Sequence, residues 1–258
     1  VKDLRDQTDM HTPAKPSRAL TTRLSAILAA ICAAMFLSSC ASYVTPGGRA
    51  DFAAFTDPKI KRAYAARPAI KFPAALALVR VQASGYSSDA GKAHGSGAYS
   101  VVTGRDIETE QDVDRLSKLP GIQGVVRLNR LLLPASLASD LDLREAAAKL
   151  HADAILLYTM ETTFFDRDAF APLTTISLGL APTKQYKATA TAAALLMDTK
   201  TGYIYGALEE AGTRSGLSIA WGSESAMENA RKQAERSALD KLLQSFEPFW
   251  QRIHARFH

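Results

Sequence analysis

An α+β domain, one mixed β-sheet covered on a face by helices, is the architecture this sequence predicts, and three observations predict it. Short β-rich runs alternate with capped amphipathic helical segments, two longer β-rich runs flank a single turn, and a long apolar helical stripe closes the chain. The resulting order is β-β-α-β-α-β-β-β-α, with no internal repeat.

Each element follows from local chemistry. Ala74 to Gln82 is a continuous apolar run after Pro73, and Tyr99 to Thr103 is a second short β-rich stretch, so both are expected to be strands. The Gly- and Ser-rich segment between them, Ser84 to Gly97, is expected to be a flexible loop. Thr109 followed by Asp112 has capping-box spacing with Asp as the third helical residue; Val113, Leu116 and Leu119 follow before Pro120-Gly121 stops the helix. Gly124 to Leu133 is β-rich again. Asp142 to Glu145 repeats the capping logic, with Leu143, Ala146, Ala147 and Leu150 on one face of a second helix. Asp153 to Phe165 is a long strand. Tyr186 to Met197 and Tyr203 to Gly212 flank Asp198-Thr199-Lys200-Thr201-Gly202, where Gly accepts a positive φ cheaply, and so form a hairpin. A last helix opens with a capping box of Ser225 and Glu228. It carries Met227, Ala230, Ala234, Ala238 and Leu242 in a stripe, and Pro248 is expected to end or kink it.

The first 40 residues address the chain to a place. Leu24 to Leu37 is an apolar run of 14 residues. At about 1.5 Å per residue it reaches only ~21 Å, short of a ~30 Å hydrocarbon core, which makes it a signal h-region rather than a spanning helix. Lys15, Arg18 and Arg23 precede it, and Asp3, Asp6 and Asp9 all lie upstream of Met10, so residues 1–9 are expected to be an extension before a start at Met10. Leu37-Ser38-Ser39-Cys40 then resembles the lipobox of bacterial lipoproteins. The resemblance implies cleavage between Ser39 and Cys40 and a diacylglycerol on the Cys40 thiol. Residues 1–39 are thus expected to be the signal peptide, 40–56 the lipidated cysteine and its Pro46-Gly47-Gly48 tether, and 57–258 a single periplasmic domain. Ala41, where enterobacterial lipoproteins retained at the inner membrane resemble one another in carrying Asp, implies the outer membrane.

Composition narrows the function. With Cys32 removed and Cys40 acylated, no thiol is left for a disulfide, a metal site or a nucleophile. Loss of residues 1–39 takes the formal charge from +5 to +3 over 219 residues, a weak balance that does not point to nucleic acid. No run after Cys40 approaches ~18 apolar residues, so no later transmembrane helix is predicted.

Leu143-Arg144-Glu145-Ala146-Ala147 through His151-Ala152-Asp153-Ala154-Ile155-Leu156, together with Met197-Asp198-Thr199-Lys200-Thr201-Gly202, resembles passages of the curli-secretion lipoprotein family. Related passages occur in the N-terminal domain of the Tol-system propeller protein and in lipoprotein activators of peptidoglycan synthases. The resemblance runs over residues 74–247 in element order, and it implies an envelope role. Pore-forming members insert membrane hairpins at places corresponding to Asp166–Lys187 and to the segment after Gly212. Pro172 and Pro182 bracket the first here and only Thr213 to Gly222 is left for the second, so no pore is expected. Leu173, Ile176, Leu178 and Leu180 in the bracketed segment are candidates for a partner-facing loop, with packing on the domain's own core as the alternative.

Candidate chemistry is sparse. His94-Gly95-Ser96-Gly97 lacks the Gly-x-Ser-x-Gly elbow, and His151 is expected to cap the second helix through a side chain favourable to its carbonyls. Asp166-Arg167-Asp168 and the series Asp106, Glu108, Glu110, Asp112, Asp114 lack the Gly and terminal Glu of a calcium loop, and helix-start electrostatics explain the series. The aromatic, basic C-terminus, Phe246 to His258, is expected to pack on the sheet, with a membrane-surface tail as the alternative. No phosphate loop, zinc signature or dinucleotide fingerprint occurs, so no cofactor or metal is expected. The sequence predicts a non-enzymatic outer-membrane lipoprotein that binds another envelope protein from the periplasmic side. The alternatives are an accessory or oligomeric component of an export or pore assembly and a periplasmic hydrolase with a non-standard site.

Overall fold

A strand with apolar residues on both faces belongs at the centre of a sheet covered on both sides. In the computed structural model, which describes residues 63–88, 91–104, 106–168, 184–218 and 223–258, Ala74–Gln82 is that strand, β1. β2 (Ser87–Ser88), β3 (Gly91–Lys92), β4 (Ser96–Gly97) and β5 (Ser100–Val102) follow, then helix α1 (Glu110–Ser117) and β6 (Ile122–Arg127). A 3-10 turn at Arg130–Leu132 leads to β7 (Ser136–Leu137), helix α2 (Asp140–Lys149), the long strands β8 (Ala154–Asp168), β9 (Lys184–Asp198) and β10 (Ile204–Ser218), and helix α3 (Ser223–Phe257).

The main sheet has the order β10-β9-β8-β1-β5. β8 runs parallel to β1, with Leu76 opposite Ala154 and Arg80 opposite Tyr158, whereas the other edge of β1 is shared by parallel β6 and antiparallel β5. The sheet is mixed and the fold is α+β, as predicted. Helices cover both of its faces, however, where the sequence suggested one. Leu76 and Leu78 of β1 pack with β8, β9 and α3, while Ala77, Val79 and Val81 pack with Leu143, Ala146 and Ala147 of α2. Alternation along β1 sends successive side chains to these two cores.

Small residues set how close α3 comes. Ala188, Ala190, Ala192 and Ala194 of β9 meet Ala230, Ala234 and Ala238 of α3 in one core. Gly212 of β10 lies so near the helix that a Cβ there would stand 2.3 Å from the Ala234 carbonyl oxygen. Trp250, fully buried, donates its indole N–H to the Pro120 carbonyl at 2.9 Å, and Phe246 and Ile253 are buried beside it, so the C-terminal aromatics pack on the sheet. α3 runs through Pro248, which does not end it. Pro248 and Gln244 are both exposed, so the carbonyl that loses its helical donor faces water.

Other boundaries differ from the sequence reading for identifiable reasons. The second helix starts at Asp140, because Ser139 is its N-cap and Asp142 is the third helical residue that accepts the Ser139 N–H at 2.9 Å. This is the spacing of Thr109 and Asp112 at α1, where the Thr109 N–H reaches Asp112 at 2.7 Å. α3 is already helical at Ser223, so Ser225 lies inside it. Within 84–97 the described residues are tied down rather than free, β2 pairing with β3 and β4 with β7, and β6 gives way at Leu128 to the 3-10 turn. β8 and β9 stay paired out to Asp168 opposite Lys184, and β10 continues past Gly212 to Ser218, so at both expected insertion points the ladder carries on. Among the described residues no helix is long and apolar enough to cross a membrane.

Two polar devices finish the sheet. The Gln82 side-chain amide donates to the Met160 carbonyl at 2.9 Å and its oxygen accepts the Met160 N–H at 3.3 Å, completing the β1–β8 ladder where β1 stops. Asp198, fully buried, accepts from the N–H groups of Ala69, Lys200 and Thr201 and from the Tyr205 hydroxyl, at 2.7–3.0 Å. Gly202 closes that turn at φ 71°, as expected of the hairpin.

His151 ends α2 by its backbone. Its φ is 55°, its N–H bonds the Ala148 carbonyl at 3.0 Å, and the Ala152 N–H bonds the Ala147 carbonyl at 3.0 Å, the Schellman pattern with His in the left-handed position. The expected side-chain cap is therefore replaced by a strained backbone cap. A residue with a Cβ costs about 1–2 kcal/mol in that conformation. His151→Gly should accordingly stabilise the protein by about 1 kcal/mol, raising the thermal midpoint by about 2–4 °C in a melt followed by circular dichroism.

Candidate functional site

Arg80 points from β1 into the core under α3, two residues past Leu78 on the same face. Its side chain is 1% exposed, and a guanidinium in such a place needs carboxylates. Asp106 supplies one at 3.0 Å and Glu235 of α3 another at 3.1 Å, while the Tyr86 hydroxyl lies at 3.2 Å. Arg231, one helical turn before Glu235 and equally buried, bonds Glu235 at 2.8 Å, Asp106 at 3.2 Å and Glu228 at 2.8 and 2.6 Å. Thr162 of β8 donates to the remaining Glu235 oxygen at 3.0 Å. Two arginines and three carboxylates thus form one closed network joining β1, β8, α3 and the segment before α1.

A second ring surrounds it. Tyr158 of β8 donates to Glu108, Glu108 lies 3.2 Å from Arg127, and Arg127 bonds Glu110 at 3.1 Å and the Thr109 carbonyl at 2.7 Å. Arg236 of α3 grips Asp112 at 2.5 and 2.7 Å, pairs with Asp240, and donates to the Ile107 carbonyl at 2.9 Å. Between the ends of β5 and β6 a cavity of about 230 Å³ opens onto these groups, lined by Leu78, Arg80, Thr103, Gly104, Glu108 and Arg127. The Arg80 Nε has no hydrogen-bond partner among the described residues.

The electrostatics are those of a lock. Burial alone would pull the Arg80 pKa down, but Glu235 and its neighbours hold it above the ordinary guanidinium value; Arg231 behaves likewise, with Glu228 as the main opposing partner. Burial, followed by Glu108, pushes the Tyr158 phenol well up, so it stays a proton donor. Burial would raise the Glu228 and Asp112 carboxyls, yet hydrogen bonds from Arg231 and from Arg236 with Thr109, respectively, bring both below the usual carboxylate range. Both oxygens of Glu235 and both of Asp106 are already taken, so the network holds its charges in place.

The residues singled out from sequence fall in several places. Asp106 and Glu108 precede α1 and serve the buried network, so only Glu110 and Asp112 fit the helix-start explanation. His94 and Ser96 bond the Pro134 and Ala135 carbonyls at 3.1 and 3.3 Å and do not face each other as base and nucleophile. Asp166, Arg167 and Asp168 are ladder residues of β8. Ser39, Cys40, Leu173, Ile176, Leu178 and Leu180 lie outside the described residues. Among the described residues no group of three or more His, Cys, Asp or Glu side chains is placed to hold a metal ion. Arg80, Arg231 and Glu235 were not singled out. Their signal was a cation inside the apolar run Ala74–Gln82 and a Glu-x-x-Arg-x-x-x-Glu pattern at 228, 231 and 235 among the alanines of the last helix.

Two outcomes test the network. Glu235→Gln strips both arginines of a carboxylate, and breaking a buried pair costs about 3–5 kcal/mol, so the thermal midpoint should fall by about 6–20 °C. Because the folded pKa values of Asp112 and Glu228 are depressed, their contribution is complete above the unfolded values near 3.9 and 4.3 and disappears as pH drops through the folded ones. Urea midpoints should therefore decline below about pH 4, and the decline should be shallower in Asp112→Asn.

No protein-family model and no curated protein matches the sequence. Solved structures similar to this chain include protein XCC0632 from Xanthomonas campestris, family model DUF330, at 12% identity and TM-score 0.37, with 74% of this chain and 95% of that chain covered. The PelC dodecamer from Paraburkholderia phytofirmans is similar at 14% identity and TM-score 0.26, covering 67% of this chain and 91% of that one. The hypothetical protein CT253 from Chlamydia trachomatis is similar at 10% identity and TM-score 0.29, covering 70% and 95%.

Proposed function

We propose that this chain is an outer-membrane lipoprotein, anchored by lipid on Cys40, whose α+β domain faces the periplasm and binds another envelope protein without catalysing a reaction. The observation that carries the reading is Leu37-Ser38-Ser39-Cys40 at the end of a 14-residue apolar run preceded by Lys15, Arg18 and Arg23. Ala41 supports the outer membrane as destination. The paired state of the buried ionisable groups supports a binding rather than a catalytic role: Asp106, Glu228 and Glu235 are each bonded to arginine. A general base needs a carboxylate oxygen within reach of a substrate proton.

Growth in radiolabelled fatty acid should label the wild-type protein, and Cys40→Ser should abolish the label and accumulate uncleaved precursor. Equal labelling of the two would remove the anchor from this reading. In-cell crosslinking of the wild type should capture a periplasmic-side envelope protein, and capture should fall sharply in Cys40→Ser if the anchor positions the domain.

A further inference from the structure

Among the described residues β10 is the outermost strand of the main sheet and bonds only β9. Its 15 residues give an edge of roughly 50 Å at about 3.3 Å per residue. Which backbone groups face outward follows from the ladder. The Asp198 N–H bonds the Tyr203 carbonyl, so even-numbered residues of β9 point at β10, and after the bulge at Ile204–Gly206 their partners are Gly206, Leu208, Glu210, Gly212 and Arg214. Ala207, Glu209, Ala211, Thr213 and Ser215 therefore turn their N–H and C=O groups away from the sheet. Among the described residues a single side chain guards them: Lys241 donates to the Ala211 carbonyl at 2.7 Å.

Edges of this length are usually blunted by proline, by bulges or by several charges. β10 has no proline and its bulge lies at the start; its charges, Glu209, Glu210 and Arg214, are of both signs, and Ala207, Ala211, Thr213 and Ser215 among them are small and exposed. We infer that this edge is an interface for a second copy of the chain, β10 pairing antiparallel with β10 about a two-fold axis through Gly212.

The axis is set by parity and charge. A two-fold normal to a sheet keeps each residue on its own face, so opposed residues must share parity. Centring on Gly212 places the outward-facing Ala211 opposite Thr213 of the second copy, and the pair exchanges both backbone hydrogen bonds once Lys241 yields or shares the Ala211 carbonyl, which has a second lone pair. It also places Glu210 opposite Arg214 of the second copy, twice. Arg214 is exposed, and Glu210 is steadied by the Ser245 hydroxyl at 2.5 Å. These are non-hydrogen-bonded pairs, the closer kind, with Cβ atoms about 4.5–5.5 Å apart. α3 packs over both β9 and β10, so the two copies' helices come about two strand spacings apart, ~10 Å, a distance at which helices pack. The inference is independent of the lipid anchor and of the envelope partner.

Sedimentation of the full chain in mild detergent tests it. The wild type should be dimeric at tens of micromolar, Arg214→Glu should weaken dimerisation at least tenfold by setting Glu210 against Glu, and Glu210→Arg combined with Arg214→Glu should restore it. Folding of each variant is checked by its thermal melt. Oxidation of the Ala211→Cys, Thr213→Cys double variant should give a disulfide-bridged dimer, which neither single variant gives. A monomeric wild type, a dimer indifferent to Arg214→Glu, or bridging of the double variant to a different protein in cells would each overturn the inference.

Discussion

A guanidinium sealed inside a protein is tolerable only where carboxylates are brought to it, and Arg80 imposes that condition on the centre of this fold. Its position on β1 is the crossing point of the sheet, opposite Tyr158 of β8 on one side and Val102 of β5 on the other. Asp106 and Glu235 come from segments 26 and 155 residues further along the chain, so the charge condition fixes how the segment before α1 and the whole of α3 sit on the sheet. Arg231 then neutralises the excess of negative charge this creates. A hydrophobic residue at position 80 would pack without any of these partners; the arginine makes the arrangement specific, because few other placements of α3 would satisfy it.

Elsewhere the fold relies on smallness. The alanines of β9 and α3 and the missing side chain at Gly212 let a helix of 35 residues lie nearly on the sheet backbone. Such contact gains dispersion energy from close approach rather than from large side chains. It also explains why bulk is concentrated at the C-terminal end of α3, where Phe246, Phe249 and Trp250 fill the widening space beside Phe72.

Much of this architecture was legible in the sequence, because most of it is local. β1 was bounded correctly by its apolar run, α1 by Thr109 and Asp112, and the β9–β10 turn by Asp198 and Gly202. Where reading failed, a non-local contact decided. In sequence Asp142 has the look of a helix start, but its carboxylate faces backward to the Ser139 N–H, which makes Ser139 the cap. Pro248 was expected to stop a helix that its solvent-facing position lets continue. The arginine network was legible only in part: Glu228, Arg231 and Glu235 share one helical spacing, but no spacing rule links them to Arg80 or Asp106 far upstream.

β1 and β8 are separated by 78 residues where Gln82 bonds Met160, whereas β9 and β10 meet across the short turn at Asp198–Tyr203. Closing a long loop costs entropy before its contacts form, so chain assembly favours the local hairpin first. β1, the first of the described strands to be made, is then among the last to take its place. It must also strip water from Arg80 as it docks, which is favourable only once Asp106, and Glu235 on a formed α3, are there to receive it. Until the C-terminal helix has been made and seated, the central strand has no stable berth, and a chain cut short before Glu235 would keep its most apolar strand exposed to aggregation and proteolysis.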